Sequence, residues 1–464
     1  MNLADNARIC FFEITMIISV YGAGYVGLVS AVCLAKLGYQ VICADIDEHK
    51  IHMLLEGKCP IYEDGLPELL EEQLNKRLMF TNNLVEAIKK AEIHIIATGT
   101  PSLPDGSADL SQVFAVATMI AQEADIDGIL VIKSTVPVRT GDAVQTHVEE
   151  ELLRGGKTIK LAVCANPEFL REGTAVYDFL HADRIVIGGE DKKALDVLKR
   201  IYQPLVDKGI PLLCMNRRSA ELTKYASNAM LALRISFINY ISQLAEALDA
   251  NVDEIRQGIG FDHRIGPHFL FPGIGYGGSC FPKDVRALIQ IAKSIDMNVD
   301  FLEAIENVNQ WQKDWVFKQV SKHFHHNLKG LTIGLWGLSF KPGTDDLREA
   351  SSLVIIDSLL CAGVQLRVYD PVAMPAAKKI LEGTIIWCES AEEVLDGGVD
   401  ALVIATEWLE FKNFCLRTLK DKLGKAPLID GRNCFDLSKV AFAGLSYYSV
   451  GRPLVMDGQQ MRSR

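Results

Sequence analysis

At 464 residues, with 49% apolar and 23% charged side chains, the chain exceeds what one core holds and predicts about three domains, or two with a substantial connector. Its net charge of −11 argues against nucleic-acid binding, which needs a clustered basic face, yet leaves room for an anionic small molecule held by placed cations and helix N-termini. No apolar run reaches membrane-spanning length, so a cytoplasmic protein without a membrane partner is expected.

Residues 1–15 lack the basic start of a secretion signal, and Glu13 interrupts their apolar run. Met16 directly precedes the first strand, so these residues read as an appendage or a misassigned start. Met16–Tyr21 is a β-branched run followed at once by Gly22-Ala23-Gly24-Tyr25-Val26-Gly27. Helical periodicity from Leu28 stops at Gly38, and a second buried strand, Gln40–Ala44, ends at Asp45. This is G-x-G-x-x-G inside a βαβ unit, with an acid about 20 positions further on. The first glycines permit a tight turn and close approach to a pyrophosphate; Gly27 lets helix and strand pack. Asp45 can accept both ribose hydroxyls, and no arginine follows it to take a 2′-phosphate. NAD is therefore expected over NADP.

The alternation continues with strands Glu92–Thr98, Gly128–Lys133 and Lys160–Ala165, which lead into segments carrying Thr100, Thr135, Glu168 and Glu172. Ligands of open parallel sheets sit outside the carboxyl ends of the strands, where these four fall. Any one of them alone is equally well a turn or capping residue. After strands Arg184–Gly188 and Pro211–Cys214 the pattern turns helical, from Ala220 to about Ala250, with Lys224 and Asn228 on one face. A solvated face is the ordinary reading of such a pair. The long apolar helix is also a natural surface for a homodimer or higher homo-oligomer.

Next comes the glycine-rich loop Phe271–Asp284, F-P-G-I-G-Y-G-G-S-C-F-P-K-D, ahead of a helix over Val285–Ser294. Pro282 suits a first helical position, which puts Cys280 near the N-cap and Asp284 on the same face. There the helix dipole and orphan N–H groups favour a thiolate. Two readings stand: a nucleophile, or a tight turn ahead of a small buried cysteine. The eleven cysteines, spread from Cys10 to Cys434 without C-x-x-C pairs, predict reduced thiols and neither a disulfide framework nor a metal site.

From Leu331 a second α/β unit begins, with a helix to Cys361 and a strand Val364–Tyr369 ending at Asp370. Gly334-Leu335-Trp336-Gly337 lacks the third glycine of the fingerprint, so a second NAD site is not expected. Strands Ala401–Thr406 and Pro427–Ile429 lead to Asp430-Gly431-Arg432-Asn433. The polar tail after Arg452 is expected to be disordered. The fold class is α/β: two Rossmann-like parallel-sheet domains, 1–215 and 326–464, joined by a central all-α domain, 216–325, with a long helix.

Taken together, G-A-G-Y-V-G-L, I-K-S-T-V-P-V-R-T-G, N-P-E-F-L-R-E-G, G-I-G-Y-G-G-S-C-F-P-K-D and F-K-P-G-T-D-D-L-R-E-A resemble the nucleotide-sugar dehydrogenases, in the same order from about Met16 to Pro453. The resemblance implies a four-electron oxidation of a sugar alcohol to a carboxylate with two NAD. Cys280 would be the nucleophile, Lys224 would stabilise the oxyanion with Asn228 as a donor, Asp284 with Thr135 and a water would handle the first proton, and Glu168 would place the hydrolytic water. It also implies that Gly22, Gly24, Tyr25, Val26, Gly27, Asp45, Lys50, Thr100, Thr135, Glu172, Lys283 and Arg348 surround NAD. Glu168, Phe169, Leu170, Lys224, Asn228, Phe271, Pro272, Gly273, Ile274, Gly275, Gly277, Phe340, Lys341 and Arg432 would surround the UDP-sugar, and Arg264 in D-H-R-I-G would reach a partner subunit's substrate. The wording of the cysteine loop favours UDP-glucose over GDP-mannose or a UDP-N-acetyl-hexosamine. A silent nucleotide-binding regulator is the reading from another class, and the intact set Cys280, Lys224, Asn228 and Asp284 argues against it.

Overall fold

A computed structural model describes residues 16–460, so the segment 1–15 lies outside it. The chain forms two compact units, one running up to Thr100 and over Leu110–Glu221, the other made of Pro101–Asp109 and everything from Leu222. Among the described residues no helix is long and apolar enough to cross a membrane.

The first unit carries an eight-stranded sheet: β1 (Ile17–Tyr21), β2 (Gln40–Ala44), β3 (Leu78–Thr81), β4 (Ile93–Ile96), β5 (Gly128–Ile132), β6 (Leu161–Ala165), β7 (Ile185–Gly188) and β8 (Leu212–Met215). Its order is β3-β2-β1-β4-β5-β6-β7-β8, parallel except where β7 meets β6. The strand order reverses between β1 and β4, which is where such sheets open a crevice. Strands such as I-I-S-V-Y are buried almost throughout because both sheet faces are covered. One face packs Ile18, Val20 and Val41 under the helix Tyr25–Lys36; the other packs Tyr21, Ile42 and Ile132 under Val116 and Val148.

His94 on β4 has a titration consequence. It is 1% exposed, and its ring Nδ1 lies 2.9 Å from Tyr21 Oη. Burial pushes its pKa down from 6.5 to about 4. Between those values the unfolded chain binds the extra proton, so stability is full above pH 6.5 and is lost as pH falls towards 4. At about 1.4 kcal/mol per unit the difference is roughly 3 kcal/mol. His94→Gln is expected to flatten the fall in Tm across that window; thermal melts that keep the wild-type slope would show that another group drives it.

The second unit carries β9 (Thr332–Trp336), β10 (Gln365–Tyr369), β11 (Ile385–Trp387), β12 (Ala401–Ile404), β13 (Leu428–Asp430), β14 (Tyr447–Ser449), β15 (Val455–Met456) and β16 (Gln459–Gln460). The order is β11-β10-β9-β12-β13-β14-β15-β16, parallel as far as β14 and antiparallel beyond it. The tail through residue 460 is therefore a hairpin edge and not a disordered extension. Asp457 and Gly458, both at positive φ, make its turn, and Val455 is fully buried opposite Tyr447.

Between the two sheets the chain is helical: a 31-residue helix Arg217–Ala247, then Val252–Gly260, Phe281–Lys293, Asp300–Lys313 and Trp315–His323. The last two of these helices are separated at Asp314. The break turns Trp315, Val316 and Val320 into the core of the second sheet beside Ile333, Leu335 and Ile429. Ile274 of the glycine loop enters the same core, so that loop is anchored to the second sheet by its own side chain.

Candidate active site

In the first unit the glycines of the dinucleotide turn divide their work. Gly22 has φ +100°, and a Cβ there would fall 2.7 Å from Ala97 O; at Gly27 it would fall 1.7 Å from Gly22 O. These two are required by the chain itself. At Gly24 nothing lies within 4 Å, and no side chain caps the helix that follows, which leaves that N-terminus accessible to a diphosphate. Asp45, at the end of β2, accepts from Ala23 N at 2.6 Å, Asp47 N at 2.9 Å and Lys50 Nζ at 3.1 Å. Thr100 Oγ1 donates to Thr135 O at 2.9 Å, joining the ends of β4 and β5. Glu168 is buried and accepts from Leu170 N; the Arg184 guanidinium lies 3.7 Å over the Phe169 ring; Glu172 is half-buried. An open turn at Gly24 with a carboxylate at the second strand end fits NAD.

The second unit holds the cysteine. Cys280 is the N-cap of the helix Phe281–Lys293, with Pro282 in its first turn, and its carbonyl accepts from Asp284 N at 2.9 Å. The helix thus starts four residues before the expected Val285. Asp284 is 1% exposed; its Oδ2 accepts from Asn228 Nδ2 at 2.6 Å and its Oδ1 from Lys283 Nζ at 2.7 Å. Lys224 and Asn228, one turn apart on the long helix, are both buried, which removes the solvated-face reading. Three of the expected residues, Asn228, Lys283 and Asp284, therefore form one bonded cluster, in which Lys283, expected at the cofactor, is held by Asp284.

Of the expected sugar-nucleotide residues, Glu168, Phe169 and Leu170 lie in the first unit and the others in this one. Arg432 donates from Nη1 to Gly275 O and from Nη2 to Phe340 O, each at 3.2 Å, and from Nε to Ala405 O at 2.8 Å. Gly278 has φ +80°, and a Cβ there would stand 2.7 Å from the Phe340 ring; at Gly277 it would stand 2.3 Å from Glu349 O. Pro272 and Gly273 are buried, Lys341 is half-buried, and Phe271 is exposed under the Arg256 guanidinium. Arg348 pairs with Asp346, and its carbonyl accepts from Gly278 N at 2.8 Å. Arg264 is exposed and paired with Asp262. The Ile274 side chain is fully buried in the core of the second sheet.

Several residues that hold this loop carried no motif. Asn309 bonds both backbone groups of Tyr276, Asn239 accepts from Gly273 N, Gln312 donates to Gly273 O, and the buried Lys313 donates to Glu349 O. Their helical spacing, with polar residues at 309, 312 and 313 facing inward, was the available signal. In the second sheet, Gly337 repeats the role of Gly22: it has φ +93°, and a Cβ there would meet Thr406 at 2.4 Å. Asp370, the counterpart of Asp45, accepts from the N–H groups of Leu338, Ser339, Val372, Ala373 and Trp408.

Three models of the UDP-glucose/GDP-mannose dehydrogenase family match in order: the NAD binding domain over residues 16–206, the central domain over 218–311 and the UDP binding domain over 334–437. The chain is 43% identical over 442 residues to the UDP-glucose 6-dehydrogenase YwqF of Bacillus subtilis, covering 95% of this chain and 99% of that protein. Among solved structures, a UDP-glucose dehydrogenase from the archaeon Pyrobaculum islandicum superposes with a TM-score of 0.87 at 36% identity, covering 97% of this chain and 100% of the other. A UDP-D-ManNAc dehydrogenase from Pyrococcus horikoshii does so with a TM-score of 0.82 at 27% identity, covering 94% and 99%. With a dinucleotide turn, a helix-capping cysteine and a bonded Asn-Asp-Lys cluster in matching domains along nearly its full length, the chain belongs to the UDP-glucose/GDP-mannose dehydrogenase family.

Proposed function

We infer that the protein is an NAD-dependent UDP-glucose 6-dehydrogenase that oxidises UDP-glucose to UDP-glucuronate. The observation that carries this is the bonded Asn228–Asp284–Lys283 cluster, with Asp284 and Lys283 in the first turn of the helix that Cys280 caps and Asn228 reaching the buried Asp284 from the long helix. A two-electron dehydrogenase or an epimerase has no use for a thiol there. An alcohol-to-acid oxidation does, because the intermediate aldehyde must be trapped.

NAD, when bound, would supply the hydride acceptor for each of the two oxidations at C6. Gly22, Gly24, Tyr25, Val26, Gly27, Asp45, Lys50, Thr100, Thr135 and Glu172 would hold it. Asp284, with Thr135 and a water, takes the C6 hydroxyl proton as the alcohol becomes an aldehyde. Cys280 Sγ then adds to C6, forming a C–S bond and a thiohemiacetal whose oxygen carries the negative charge. Lys224 and Asn228 stabilise that oxygen, and the N-terminus of the cysteine helix favours the anionic sulfur. The second oxidation leaves a thioester. Water placed by Glu168 adds to it, the C–S bond breaks, and the carboxylate departs with the thiolate regenerated. The UDP-sugar would lie against Phe169, Leu170, the loop 271–277, Phe340, Lys341 and Arg432.

We read the functional parts as 1–215, 216–325 and 326–464. The protein would work in the cytoplasm as a homodimer or higher homo-oligomer through the long helix, on which Met230, Phe237, Tyr240 and Leu244 are exposed. Arg264 would serve the partner subunit's substrate. Among nucleotide sugars, UDP-glucose is expected to give a kcat/KM at least about tenfold above GDP-mannose or UDP-N-acetylmannosamine, a difference of roughly 1.4 kcal/mol. A higher value for either competitor in the same NADH assay would reassign the sugar.

A further inference from the structure

A buried carboxylate that this chemistry does not use ties two parts of the cofactor unit together. Glu63 precedes the helix Leu66–Gln73 and is 4% exposed. Its Oε2 accepts from Gly173 N at 2.6 Å, and its Oε1 accepts from Ala175 N at 2.5 Å and Val176 N at 3.4 Å. Ala175 and Val176 open the helix Ala175–Leu180, whose own N-cap, Thr174, makes no side-chain capping bond. The same Gly173 N–H lies 2.6 Å from Tyr25 Oη, which in turn donates to Tyr62 O at 3.5 Å. Tyr25 is the first residue of the helix that follows Gly24 in the dinucleotide turn.

A local Ser, Thr or Asp cap would satisfy those N–H groups at less cost than burying a carboxylate brought from 110 residues away. What the distant carboxylate adds is position. The segment between Asn166 and Gly173 carries Glu168 and Glu172, and its far end is fixed by Glu63 and Tyr25 together. A second closure, the Arg171–Asp178 pair, stiffens the same end. Gly24, where the diphosphate backbone contact is open, is followed directly by the tyrosine whose hydroxyl meets Gly173.

We propose that Glu63 is a positioning residue that couples occupancy of the dinucleotide turn, through Tyr25, to the placement of the segment bearing Glu168 and Glu172. The roles of those two glutamates rest on the dehydrogenase reading; the coupling itself needs only NAD binding. The test uses the full-length wild type, Glu63→Ala, Glu63→Gln and Tyr25→Phe, with NAD affinity by calorimetry, hydrogen exchange of peptides spanning 167–176 with and without NAD, and steady-state kinetics. In the wild type NAD should slow exchange at Gly173 and Ala175 by about tenfold or more. Glu63→Ala should lose that slowing and up to about 100-fold in kcat, and its Kd for NAD should rise by up to about tenfold, because Glu172 lies on the freed segment and coupling is reciprocal. Glu63→Gln, which keeps one uncharged acceptor, should fall between. Wild-type kcat with wild-type NAD-dependent slowing in Glu63→Ala would overturn the proposal. Should Glu63→Ala not fold, Tyr25→Phe decides: lost slowing at Gly173 supports the coupling, and wild-type slowing overturns it. NAD-dependent slowing in a wild type that does not turn over UDP-glucose would support the coupling while overturning the dehydrogenase reading.

Discussion

Replacing the Cys280 sulfur by oxygen, as Cys280→Ser, is expected to reduce steady-state NADH formation by on the order of 10⁴-fold or more, the scale seen when a covalent nucleophile is removed. The physical reason is narrow. Cys280 caps the helix Phe281–Lys293 through its backbone, without a side-chain capping bond, so the substitution leaves the fold and the loop in place. A serine hydroxyl at the same N-cap is a far weaker nucleophile than a thiolate and does not trap the aldehyde. The Kd for NAD, measured by calorimetry, and the Tm should stay near wild-type values. Wild-type turnover by this variant would take Cys280 out of the mechanism.

Asp284→Asn is the second large effect, and it acts on both structure and rate. The carboxylate is buried with an amide donor at 2.6 Å on one oxygen and an ammonium at 2.7 Å on the other. An asparagine amide can accept on only one side, so its NH₂ faces either the Lys283 ammonium, donor against donor, or Asn228, which must then turn its amide to offer Oδ1 and give up its present bond. Leaving such a buried donor unpaired costs about 1–3 kcal/mol, more when it is charged. Loss of the proton acceptor should lower kcat by roughly 10²- to 10⁴-fold. Thermal melts and kcat/KM together check this; a variant with lowered Tm but wild-type kcat would make Asp284 a purely structural partner of Asn228 and Lys283.

Both predictions rest on features that local sequence makes legible. The dinucleotide turn could be assigned because strand, glycines, helix and Asp45 follow within one short run, and the structure places Asp45 on the Ala23 amide. The alternation of buried strands and helices likewise gave both parallel sheets, because a strand covered on both faces shows as a continuous apolar run. Short edge strands escaped that signal. Leu78–Thr81 alternates buried with exposed positions, Met79 facing out, and Ile385–Trp387 is three half-buried residues. The tail was read as disordered from its polarity, although Asp457-Gly458 is a hairpin turn signal whose neighbour Val455 fills the core.

The active site divides the same way. The loop Phe271–Asp284 announces its turns and its helix start, whereas what holds it does not. Asn309, Gln312 and Lys313 look like the wet face of a helix until packing turns them towards Tyr276, Gly273 and Glu349. Glu63 and Gly173 lie 110 residues apart, and no spacing rule links them. Ile274 likewise supplies its side chain to the core of the second sheet, a role that its place in a glycine-rich loop does not announce. Buried polar pairing between distant segments is a property of the folded chain, and it is the part that sequence patterns carry least.

The central claim is that one thiol carries the sugar through two successive oxidations without releasing the aldehyde. Counting NADH formed per UDP-glucose consumed, with UDP-glucose limiting and NAD in excess, tests it most directly. The expected count is about two, with UDP-glucuronate as the only sugar product, because alcohol to carboxylate is a four-electron change. A count of about one, with a UDP-hexodialdose accumulating, would contradict the thioester route through Cys280.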